Sequence, residues 1–178
     1  MQRIFRSLLL VFSCFALNGC GPDRWDAYSQ NVAEKVRVRN DSFRSQGRPI
    51  RISYLGCNTN SVGGSKPSLS YYNTSGKTIK YLRFQFAFYN SVGDPAICEI
   101  RGLSQRSARI TGPIESNDEL NSGSWDPMIY DHSSNKCVIN NLEIQYMDGS
   151  KITYNKLQVS EFILENGKTE IPPATFFN

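Results

Sequence analysis

The stretch Thr78-Ile79-Lys80-Tyr81-Leu82-Arg83-Phe84-Gln85-Phe86-Ala87-Phe88-Tyr89-Asn90 decides the fold. Leu82, Phe84, Phe86 and Phe88 recur at every second position, with Tyr81, Arg83, Gln85, Ala87 and Tyr89 between them. Side chains of a strand point alternately to its two faces, so the pattern predicts a half-buried strand with one dry and one amphipathic face. A helix would scatter the four apolar residues around its circumference.

The same punctuation extends outward. Short runs rich in Ile, Val, Tyr, Phe and Thr predict strands at 51–55 and 68–73 upstream. Downstream, strands are expected at 97–103, 108–110, 124–130, 138–147 and 151–154, with one more at 161–164. In 138–147 the alternation puts Val138, Leu142, Ile144 and Tyr146 on one face. Asp148-Gly149 between two strand runs is a hairpin signal, and 73–77 and 90–95 are rich in turn residues. Ile171-Pro172-Pro173 should leave the sheet, because proline cannot donate to a ladder. About seven short strands with few helices imply an all-β fold over 50–178, an immunoglobulin-like antiparallel β-sandwich. A small barrel satisfies the same alternation, since strand order is not written in periodicity.

The N-terminus reads as an address. Arg3 and Arg6 precede an almost wholly apolar run from Leu8 to Leu17, which suits a signal peptide and is too short to span a bilayer. Leu17-Asn18-Gly19-Cys20 resembles the lipobox of bacterial lipoproteins. That resemblance implies a signal peptide at 1–19, removed before Cys20, and acyl chains on Cys20 that anchor the protein in a membrane. Gly21 in place of an aspartate then favours the outer membrane, by the sorting rule of double-membrane bacteria.

Such an address is outside the cytoplasm, where disulfides persist. Cys14 leaves with the signal and Cys20 becomes a thioether, so Cys57, Cys98 and Cys137 remain. Three thiols allow at most one internal bridge, with three pairings open. Strand-like surroundings favour Cys98 with Cys137. Residues 20–49 read as a lipidated cysteine and a polar tether. They are rich in Lys and Arg, and Trp25, Tyr28, Val32 and Val36 sit at spacings of three and four that permit a short amphipathic helix. A solvated spacer is the simpler expectation.

Several short motifs in order have a family look. They are Ser61-Val62-Gly63-Gly64, the run from Asn73 to Tyr81, the run from Tyr89 to Pro95, Thr111-Gly112-Pro113, and the run from Leu142 to Gly149. Together they resemble small secreted or lipid-anchored bacterial domains of the FxLYD type, over roughly residues 50–155. The resemblance implies an immunoglobulin-like fold and supplies no catalytic residue.

The chain has 178 residues, with 20 Lys+Arg against 16 Asp+Glu, a mild excess unlike the concentrated basic face of a nucleic-acid binder. One histidine, His132, argues against multi-histidine metal sites. Asp94, Asp126, Asp131 and Asp148 lie near turns without the spacing of a calcium loop. Asp131-His132 beside Ser133 suggests hydrolase chemistry only weakly, because no nucleophile elbow accompanies it. Ser133-Ser134-Asn135-Lys136 lacks the partner motifs of penicillin-recognising enzymes, and Gly63-Gly64-Ser65-Lys66 lacks phosphate-loop spacing. No motif implies a cofactor or a metal. With nine Tyr and ten Phe in the chain, Tyr81, Arg83 and Tyr89 on the outward face of the central strand form a candidate binding surface. The expected function is a non-enzymatic, lipid-anchored interaction or structural module of the cell envelope, with a protein or glycan partner and no nucleic acid. A carbohydrate- or cell-wall-binding accessory domain is the alternative, and a hydrolase the weaker one.

Overall fold

The computed structural model describes residues 23–163, and side chains from Asp26 onward. Residues 1–19, expected to be a signal peptide, Cys14, Cys20 and Ile171-Pro172-Pro173 lie outside them. The chain divides between Glu34 and Lys35 into two units. Within the first, Ser29 Oγ donates to the Asp26 carbonyl at 2.9 Å.

Helix α1 spans Asp23–Ser45. The tether expectation thus gives way to a helix, and its last turns belong to the folded body. Val36, Asn40 and Phe43, spaced four and three, share one face; Asn40 and Phe43 are buried. The helix stops in a Schellman motif. Gly47 N–H bonds the Arg44 carbonyl, Arg48 N–H bonds the Phe43 carbonyl, and Pro49 follows.

Eight strands follow among the described residues: β1 (Ile50–Thr59), β2 (Gly64–Asn73), β3 (Ile79–Tyr89), β4 (Gln105–Ile114), β5 (Asn121–Ser124), β6 (Ile129–Tyr130), β7 (Lys136–Tyr146) and β8 (Lys151–Asn155). A short helix α2, Lys156–Ser160, closes the described chain with an Asn155/Gln158 capping box. All ladders between these strands are antiparallel. In one sheet β2 lies between β1 and the short pair β5 and β6; the other runs β4-β3-β7-β8. The two sheets pack as a sandwich.

The core forms where their inner faces meet. Leu82, Phe84, Phe86 and Phe88 of β3 are at most 1% exposed, as their alternation predicts. Phe84 and Phe86 stack at 5.9 Å, and Trp125 approaches their rings at 6.0 and 5.3 Å. Ile50, Ile52, Leu69 and Tyr71 supply the opposite wall. Burial pushes the Tyr71 hydroxyl up to about 12.

Three irregularities reset the alternation. Ser53 is an extra residue in β1, so Leu55 and Cys57 face the core where strict alternation would turn them out. Lys80 is extra in β3 relative to β7. Asn140 is extra in β7, which corrects the expected face of that strand. Cys137 and Ile139 point inward before the bulge and Leu142, Ile144 and Tyr146 after it, while Val138 lies on the other face, half-buried. A period-two reading carried through a bulge changes face by one position.

Residues 97–103 are irregular, not a strand, and Ile97, Ile100 and Leu103 are exposed. The run 108–110 lies inside the longer β4, 124–130 is split between β5 and β6, and Ile163 makes only an isolated bridge to Ile52. The turns agree with expectation. Asn60 and Asn90 head two copies of Asn-Ser-Val-Gly with the same wiring. In each, the Asn Oδ1 accepts the N–H groups two and four residues on, at 3.1 and 2.8 Å. Gly63 and Gly93 take the left-handed φ of +76° and +96° that this turn needs.

Candidate functional site

The outer face of β4-β3-β7-β8 is assembled by alternation and register. Tyr81 and Arg83 point out of β3, Arg109 stands opposite Arg83 on β4, and Glu143 stands opposite it on β7. The Tyr81 ring is surrounded by cations: Arg109 at 5.1 Å, Lys80 at 5.5 Å and Arg83 at 5.9 Å from its centre. Glu143 accepts from Arg83 at 2.6 Å and from Lys151 at 2.7 Å. The Lys151 bond first, and Arg83 second, hold the Glu143 carboxyl below its ordinary range. A shallow depression of about 480 Å³ lies between the three strands, lined by Arg83, Gln85, Ser107, Arg109, Asn141 and Glu143.

This arrangement can bind anionic groups by hydrogen bonds and charge. It is less suited to stacking an uncharged sugar, since three cations crowd the one aromatic ring. Sequence reasoning singled out Tyr81 and Arg83 and missed Arg109 and Glu143. Their signal is register, which pairs them with Arg83 and which the sequence of one strand does not carry.

Tyr89 does not join this group. It lies eight residues along β3 from Tyr81, about 26 Å at strand rise, with the Lys156 ammonium 5.7 Å from its ring centre.

The remaining candidates sit apart. The Cys98 Sγ accepts the Tyr130 N–H at 3.4 Å, whereas Cys137 lies against Cys57. The favoured Cys98–Cys137 pair is thus not the pair of thiols that meet. Near His132, Ser133 Oγ donates to Asp131 at 2.7 Å, and Asp131 also accepts the Ser133 and Ile97 N–H groups at 2.8 Å each. That wiring ties two loops together. Asp148 caps its turn through Ser150 and pairs with Lys77 at 2.6 Å, and Lys77 above all holds its carboxyl low. Among the described residues, no three His, Cys, Asp or Glu side chains gather as a metal would require. Nor is any described helix long and apolar enough to cross a membrane.

Compared with known proteins, the chain matches no family model, no curated protein and no solved structure.

Proposed function

We propose that this chain is a non-enzymatic binding module of the cell envelope, anchored in the outer membrane through acylated Cys20. In this reading the β4-β3-β7-β8 face receives an acidic segment of another envelope protein. The observation that carries the binding role is the cluster of Arg109, Lys80 and Arg83 around Tyr81, left open to solvent on the sheet. Guanidinium groups beside an aromatic ring recognise carboxylates bidentately. The anchor is supported by Arg3, Arg6, the apolar run and Gly19-Cys20. The resemblance to FxLYD-type domains agrees with a module that binds and does not catalyse.

A photo-crosslinking residue at position 107, in the lining of the depression but outside the cationic cluster, tests the reading in cells with the full-length protein. The expected result is one major adduct with an envelope protein, lost in an Arg83→Glu/Tyr81→Ala background and weakened by salt in extracts. Unaltered adducts in that background would remove this face from the proposal. Sedimentation with peptidoglycan that Tyr81→Ala abolishes would instead establish the cell-wall alternative. Fatty-acid labelling that persists in Cys20→Ala would refute the anchor.

A further inference from the structure

Cys57 lies near the end of β1 and Cys137 near the start of β7, in different sheets. The sandwich brings these strand ends together across the core. The Cys137 Sγ donates to the carbonyl of Gly56, the residue before Cys57, at 3.4 Å, which sets the Cys137 thiol beside that of Cys57. The placement depends on the Ser53 bulge, which turns Cys57 inward. Cys98 is held elsewhere, beside Tyr130.

We propose that Cys57 and Cys137 are a disulfide-forming pair that staples the two sheets, oxidised by exchange with a disulfide donor such as a thiol–disulfide oxidoreductase or glutathione disulfide. The two thiols are unequal in access and in acidity. Cys57 is half-buried and Cys137 buried. Contact with the Cys137 thiol draws the Cys57 thiol below its ordinary value, while that same contact and burial push Cys137 up. Cys57 is therefore the first nucleophile. Its thiolate attacks the donor disulfide, forming a mixed disulfide and expelling one donor thiolate, which takes up the Cys57 proton from solvent. Cys137 then loses its proton to the second departing donor sulfur as its own sulfur attacks Cys57. One donor S–S bond and two protein S–H bonds break. One protein S–S bond and two donor S–H bonds form, so the donor gains two electrons and two protons. None of these steps depends on the lipid anchor or on the proposed binding face.

The test uses the reduced full-length protein, equilibrated with glutathione disulfide, trapped with N-ethylmaleimide under denaturing conditions and mapped by mass spectrometry after digestion. The expected product links the Cys57 and Cys137 peptides, with Cys98 alkylated. Alkylation of Cys57 and Cys137 at every donor concentration, or a link from either to Cys98, would overturn the proposal. A Cys98→Ala variant should keep the link and melt about 10 °C higher when oxidised than when reduced. Cys57→Ala should lose that difference. Should Cys57→Ala fail to fold, the peptide maps of the wild-type and Cys98→Ala proteins decide the question alone. Brief iodoacetamide treatment of the reduced protein should label Cys57 before Cys137, and the reverse order would overturn the order of attack.

Discussion

Each sheet carries a tyrosine with an arginine against its ring on the outer face, and the two pairs meet opposite fates. On β1 and β2, the Arg51 guanidinium lies 4.2 Å above the Tyr72 ring, and both residues are at most 2% exposed. On β3 and β4, Arg109 lies 5.1 Å from the Tyr81 ring in a site that stays open. The difference is the roof. Asn40 of α1 accepts from Arg51 Nε at 2.6 Å and donates to Asp118 at 2.8 Å, and Arg44 reaches Asp118 at 2.8 Å. Burial draws the Arg51 guanidinium below its ordinary value, with neighbouring Tyr72 opposing. Covered, the pair fastens a helix to a sheet; uncovered, the same chemistry is available to a partner. Burying a charge costs less where hydrogen bonds and polarisable groups stand in for its water; the helix end gives the guanidinium a bond at Nε, and the Tyr72 ring lies under it.

Breaking the covered side should cost most. Phe43→Ala removes the ring that seats α1 and should destabilise the protein by about 3 kcal/mol in urea unfolding. Asn40→Ala withdraws the acceptor from buried Arg51 and the donor from Asp118, for about 2 kcal/mol by the same measurement. A loss under about 0.5 kcal/mol in either variant would mean that the roof is not what separates the two faces.

Acid should act on the roof as well. Burial alone would raise the Asp118 carboxyl, but hydrogen bonds from Asn40 and Arg44 outweigh it and hold the carboxyl below the ordinary range. A depressed carboxylate stabilises the fold above its unfolded value, near pH 4. That contribution disappears as pH falls through the lower folded value. Stability measured from pH 6 downward should therefore fall less steeply below pH 4 in Asp118→Asn than in the wild type.

The open face should show the smallest effects on stability and the largest on binding. Arg83→Ala breaks an exposed ion pair with Glu143 and should cost under about 1 kcal/mol, while weakening partner capture. A stability loss as large as that of Asn40→Ala would show that this face is structural.

Much of this was legible in residue order. The β3 alternation announced the central strand because period two is a local property of an extended backbone, and the runs 73–77 and 90–95 and Asp148-Gly149 announced turns because their chemistry is local too. The candidate surface was half legible: Tyr81 and Arg83 share one strand, but Arg109 and Glu143 join them only through ladder register.

The sequence by itself determined the class of fold, the central strand and the turns, each set by backbone geometry within a few residues. Only the tertiary structure decided which faces those strands present. Ser53 and Asn140 become bulges by virtue of the strands beside them, and each bulge moves every later side chain to the opposite face. The same long-range packing buried Arg51 under a segment that reads as a polar spacer, left Arg109 open, and placed Cys137 against Cys57. Those outcomes depend on which surfaces are withdrawn from water together, and no single stretch of chain holds both surfaces.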